Sequence, residues 1–251
     1  MIYYSFDGTK IGLLCCIFNA FYDRRKPDGI FCSAYQYSVF DEIKEIVSDN
    51  EKAERVKKCI EKCKTKYASF DLDFAYLSGL ENKYKIIFDY FYYVIKNKNI
   101  DVSENYAESS VAAFNELKQK IWFETHRFKG FIRFSETEKG YFYSHYEPDN
   151  DITALLMPHF TARFKNRAFI IHDTKRNILG LYDGKSTAVV ENDRPITVFL
   201  SESEKSFTEL WTTYYDSVNI KERKNEKLMK QYLPVRYWKN LPEKNRNKKS
   251  P

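Results

Sequence analysis

The apolar pattern of this 251-residue chain changes period near residue 126, and that change limits the folds open to it. Before it, apolar residues recur at three- and four-residue spacing, as on one face of a helix. After it they alternate in short runs, as in half-buried strands. A short strand over 1–6 ends in a turn at Asp7-Gly8. Thr9 then caps a helix carrying Leu13, Leu14, Ile17, Phe18 and Phe21. A second extended piece covers 30–40. Ser48 and Glu51 have capping-box spacing before a helix with Ala53, Val56, Ile60 and Cys63 on one side. Further helices are expected over 69–80, 82–96 and 106–125, the middle one strongly aromatic.

Beyond His126, two runs predict a β-hairpin: Phe128, Phe131, Ile132 and Phe134, then Tyr141, Phe142, Tyr143 and Tyr146, with a charged turn over 138–140 between them. Asp151 is the expected cap of a short helix through Leu155, Leu156 and Phe160, which Pro158 distorts. Strands follow at 168–172, 178–182 and 187–190. Helices return after Ser203 or Ser206 and over 223–231, until Pro234. This order predicts an α+β fold: a helical N-terminal half, an antiparallel β-sheet in the second half and basic C-terminal helices. It is read as a single domain over 1–243, helical over 1–125, sheet-containing over 126–200 and helical again over 203–243. Residues 244–251 form a basic tail that is expected to order only on binding.

Charge is uneven. Residues 221–251 hold eleven Lys or Arg against three Glu, a balance of +8, so with a chain total of +6 the preceding 220 residues sum to −2. A cationic end suits a phosphate-rich partner. The five cysteines, at 15, 16, 32, 59 and 63, are odd in number and have no disulfide framework, which fits a reducing cytoplasm. Cys59 and Cys63 are four apart but lack a second pair at ligand spacing, so no metal or other cofactor is expected. No stretch is apolar for long enough to span a bilayer, and no membrane partner is expected.

The stretch 125–173 gathers all four histidines, His126, His145, His159 and His172, among basic, acidic and aromatic residues. Two kinds of site are read there. On an unbroken strand Arg127, Lys129 and Arg133 share a side, where with Arg163 and Arg176 they grip phosphate while nearby tyrosines stack on unpaired bases. Arg223, Lys227, Arg236, Tyr237 and Trp238 extend that nucleic-acid interface, with docking of the tail an alternative role for the two rings. In the other reading, His126, His172, Asp151 and Asp173 serve as acids and bases of a base-processing or hydrolytic enzyme. The spacing matches no triad, and whether the chain is an enzyme is left open. A third reading makes the aromatic helix around 84–93 the docking face of a protein-interaction adaptor that makes no direct DNA contact.

The motifs H-R-F-K-G-F-I-R-F, E-P-D-N-D-I, H-F-x-x-R-F, F-I-I-H-D-x-x-R, Y-D-G and L-P-V-R-Y-W-K-N-L-P-E, read together, resemble those of a bacterial family assigned to DNA repair and DNA metabolism. The likeness runs from the Y-x-F-D-G start to Glu243. The resemblance implies DNA as partner, acting with a companion radical S-adenosylmethionine (radical SAM) protein, and some members are fused to a uracil-DNA glycosylase-like domain. The chain shows no C-x-x-x-C-x-x-C cluster and no glycosylase active-site loop. It is therefore expected to be the partner of those enzymes.

Overall fold

The computed structural model describes residues 1–32 and 41–244. Most of the extended piece expected over 30–40, and all but the first residue of the basic tail, lie outside the described residues. The chain divides into two compact units, Met1–Trp122 and Phe123–Pro251. Among the described residues no helix is long and apolar enough to cross a membrane.

In the first unit the strand at the N-terminus, β1 (Ile2–Ser5), lies between β2 (Gly29–Phe31) and β3 (Glu42–Glu45), and both pairings are parallel. Parallel neighbours need a crossover. Helix α1 (Lys10–Tyr22) supplies it between β1 and β2, with Thr9 Oγ1 accepting from the Gly12 N–H at 3.0 Å as expected. Helix α2 (Asn50–Glu61) starts one residue away from the expected cap. Asp49 Oδ1 accepts from the N–H groups of Glu51 and Lys52 at 2.9 and 3.1 Å, whereas Ser48 donates to Asp7 Oδ2 at 2.6 Å. A carboxylate is the stronger acceptor of the two neighbours, so it takes the helix end.

Helices α3 (Ala68–Tyr76), α4 (Lys83–Lys96) and α5 (Ser109–Phe131) follow. The aromatic run of α4 goes to the core of its own unit. Phe88, Tyr90 and Phe91 are buried, and Tyr90 stacks on Phe114 with ring centroids 3.8 Å apart.

Residues 126–131 are helical, which corrects the strand expected there. The buried positions of this stretch, Leu117, Ile121, Phe128 and Ile132, are spaced by four and seven and continue the helical stripe. Phe128, Phe131 and Ile132 fit that spacing as well as they fit alternation, and the helix already running into them decides. Arg127 and Lys129 therefore do not share a strand side with Arg133.

The hairpin forms later in the chain, between β4 (Ser135–Glu136) and β5 (Phe142–Tyr146), with Ser135 opposite Tyr143. Helix α6 (Thr153–Phe164) then carries the chain back to the same end of the sheet. Strand β6 (Phe169–Asp173) consequently runs parallel to β5, pairing His172 with His145. Strands β7 (Ile178–Tyr182) and β8 (Thr187–Glu191) complete the order β4-β5-β6-β7-β8 by antiparallel pairing. The fold is α+β, with helices N-terminal and a mixed sheet in the second half. The wholly antiparallel sheet is corrected at the β5–β6 junction alone.

Helix α6 begins after Ile152, which holds the cap position one residue beyond the expected Asp151. Leu156, Met157 and Phe160 are buried, as are Tyr146, Phe169 and Ile171 of the strands. Gly180 of β7 permits the close approach: a Cβ there would lie 2.5 Å from Met157 Sδ and 2.8 Å from Ile171 Cγ1. The C-terminal part holds α7 (Glu202–Ser217), α8 (Glu226–Tyr232) and a 3-10 turn over Val235–Asn240. No residue of α7 is buried.

Candidate nucleic-acid interface

The loop E-P-D-N-D after β5 is held by one buried carboxylate. Glu124 Oε1 accepts from the Asp149 N–H at 2.7 Å and from the Tyr237 hydroxyl at 2.7 Å. Its Oε2 accepts from the Asn150 N–H at 2.8 Å and from Asn150 Nδ2 at 2.6 Å. Arg176 ties the same loop to β6, donating to the Pro148 carbonyl at 3.2 Å, to the Asp149 carbonyl and to Asp173 Oδ2 at 3.0 Å. Arg236 pairs with Asp149, and Lys239 with Glu147. Burial, then the charge of Glu124, push the Tyr237 hydroxyl well above its ordinary pKa, so it remains a donor.

The edge of the second unit carries a cleft of about 700 Å³. Three arginines line it: Arg133, Arg163 near the end of α6 and Arg167 before β6. The rings of Phe142, Phe164, Phe207 and Trp211 share the walls with the carboxylates of Glu136 and Glu204. Spacing puts these groups together. Phe207 and Trp211 are four apart on one face of α7, whereas Arg163 lies in the last turn of α6 and Arg167 beyond its end.

Arg133 is anchored. It donates to the Gly130 carbonyl at 2.6 Å and to Glu243 Oε1 at 2.8 Å, and its guanidinium lies 5.2 Å from the Trp211 ring centre. Trp211 Nε1 donates to the other oxygen of Glu243 at 3.0 Å. Burial raises the proton affinity of Glu243, but the Trp211 bond, its own backbone N–H and Arg133 together outweigh it, and the pKa falls below the usual carboxylate value. No ion pair among the described residues engages Arg163, Arg167 or Lys129, so these cations are open to an anion. The field of Lys129 and Arg163 is felt at His159. Burial first, then Lys129 and Arg163, lower its pKa below the usual imidazole value.

The sequence-predicted interface is thus divided among several places. Arg133 and Arg163 line the cleft, whereas Lys129 acts with Arg163 on His159. Arg127 is half-buried on α5. Arg176, Arg236 and Tyr237 hold the E-P-D-N-D loop, while Trp238 donates to the Leu233 carbonyl at 2.9 Å. Arg223 lines a smaller recess with Lys224 and Lys244, and Lys227 stands exposed on α8. Sequence reasoning did not assign Phe142, Phe164, Glu204, Phe207 or Trp211 to a site. The available signals were the R-F-K-N-R run over 163–167 and the four-residue spacing of Phe207 and Trp211.

The predicted acid–base residues sit on different elements. His126 is exposed on α5, and Asp151 precedes α6. Asp173 is fully buried in an ion pair with Arg176 and accepts from the N–H groups of Lys175 and Arg176. His172 is buried, with Nδ1 2.9 Å from the Tyr143 hydroxyl. Among the described residues its Nε2 has no partner at hydrogen-bond geometry, although Asn177 is near enough to favour its proton. Burial, followed by His145, lowers the His172 pKa and keeps the ring neutral near pH 7. Among the described residues no three His, Cys, Asp or Glu side chains gather as metal ligands, and Cys63 donates to the Cys59 carbonyl.

A family model for a domain of unknown function, DUF4130, matches residues 81–243, and the chain belongs to that family. No curated protein and no solved structure matches the chain.

Proposed function

We propose that the chain is a DNA-binding protein of a DNA repair or modification pathway, and that the cleft of the second unit holds a strand with unpaired bases. The observation that supports the reading is the convergence of Arg163 and Arg167, which make no ion pair among the described residues, with Phe142, Phe164, Phe207 and Trp211 on one opening. Guanidinium groups grip phosphate oxygens, and exposed rings accept the faces of bases released from a duplex. Phe207 is 59% exposed, so a base can reach it. The basic C-terminal segment adds sequence-independent attraction to the same polymer.

The companion radical SAM protein implied by the motif resemblance would then supply chemistry to a strand that this chain presents. Fluorescence anisotropy with labelled single-stranded and duplex DNA tests the reading. The single strand is expected to bind more tightly, and the double variant Arg163→Ala/Arg167→Ala to lose at least tenfold in affinity, as expected for two charge-assisted phosphate contacts. Equal affinity of wild type and variant would remove the cleft from DNA binding.

A further inference from the structure

The cleft contains a feature that phosphate binding and stacking do not use. Glu204, half-buried in the first turn of α7, shares one helix face with Phe207, Thr208 and Trp211, and all four line the opening. Its Oε2 accepts from the Glu136 N–H at 2.8 Å, which fixes the carboxylate against β4. Among the described residues its Oε1 has only a 3.5 Å contact with the Thr208 hydroxyl. A carboxylate offers about four acceptor positions, so about half of its capacity is left for a ligand in the cleft. An acceptor anchored in this way, one turn from an exposed aromatic ring, suits a ligand with a flat face and an N–H edge. Arg163 and Arg167, lining the same cleft, offset the negative charge that would otherwise repel a phosphorylated ligand.

We infer that Glu204 is a base-selecting residue: a nucleobase stacked on Phe207 presents its exocyclic amino group to Glu204 Oε1. The inference rests on the proposed DNA-binding role of the cleft. Cytosine, adenine and guanine carry such an amino group, whereas thymine and uracil offer only an imide N–H flanked by two carbonyls whose lone pairs oppose a carboxylate. The selected class is therefore an unpaired, amino-bearing base.

Length-matched, labelled oligo-dC and oligo-dT carry the same phosphate charge, so the ratio of their dissociation constants isolates the base term. Wild type is expected to favour oligo-dC by roughly tenfold, the size of one charge-assisted hydrogen bond. Glu204→Gln can keep the Glu136 N–H bond through its amide oxygen, and it is expected to bring the ratio to within about twofold. Phe207→Ala, at an exposed ring that the fold does not bury, is expected to weaken both strands with less change in the ratio. Equal affinity of wild type for the two strands, or a preference that survives Glu204→Gln, overturns the base-selecting role and leaves the DNA-binding reading standing. Failure of wild type to bind either strand overturns both.

Discussion

Replacing Glu124 by Gln changes one atom type at the centre of the second unit's polar network, and its effect can be worked out donor by donor. The carboxylate accepts four hydrogen bonds, two on each oxygen. An amide keeps one acceptor oxygen and turns its other end into a donor. If that oxygen stays with Asn150, which offers two donors, the new NH₂ confronts the Asp149 N–H and the Tyr237 hydroxyl. The hydroxyl can rotate toward Asp149 Oδ2, 3.5 Å away. The Asp149 N–H has no such freedom.

One buried donor left unsatisfied costs about 1–3 kcal/mol, and weakening the charge-assisted bonds to Asn150 adds about 1 kcal/mol, for a total of about 2–4 kcal/mol. With a urea dependence of about 2 kcal/mol per molar, the unfolding midpoint of the second unit should fall by about 1–2 M. Fluorescence of Trp211 and Trp238, both in that unit, reads the transition. A loss below about 0.5 kcal/mol would refute the view that Glu124 organises the loop.

Gly180→Ala places a methyl group against Met157, Ile171 and Thr153, and overpacking there should destabilise the second unit by about 1–3 kcal/mol in the same urea assay. Asp49→Ala removes the side-chain cap of α2 and should cost the first unit about 1 kcal/mol, read by circular dichroism during unfolding. The lowered pKa of His159 means that the folded state binds its proton less well than the unfolded chain. It therefore subtracts stability as pH falls below the unfolded value of about 6.5, and not above it. Arg163→Ala should raise the His159 pKa in an NMR titration, and so should bound DNA in the wild type. An unchanged value in both cases would show that burial alone sets the shift.

The sequence showed the helices of the first half well, because Thr9, Leu13, Ile17 and the run from Ala53 to Ile60 state one period without ambiguity. The parallel sheet of the first unit was less legible: β3, E-I-K-E, is short and charged and has no alternating signal. The end of α5 was misread because Phe128, Phe131 and Ile132 satisfy two periods at once, and only the stripe arriving from Leu117 and Ile121 separates them. The parallel β5–β6 pair follows from the intervening helix α6, which returns the chain to the end of the sheet where β5 begins.

For the site, the basic and aromatic composition pointed to the correct region of the chain without showing which charges are spent. Arg176 and Arg236 look no different in sequence from Arg163. Their partners Asp173 and Asp149 are identified only once the strand ends come together. Glu243, 110 residues from Arg133, is a pairing that no local pattern announces.

The salt dependence of single-stranded DNA binding tests the cleft most directly. Each phosphate contact contributes roughly 0.7 to the slope of log affinity against log salt for a single strand. Removing Arg163 and Arg167 should therefore lower the slope by about 1.4, whatever the basic C-terminal segment contributes. Between 50 and 200 mM salt, the wild type should then lose roughly sevenfold more affinity than the double variant. A measured slope difference near 1.4 places two phosphates on these arginines, and parallel slopes would contradict the assignment of this cleft to DNA.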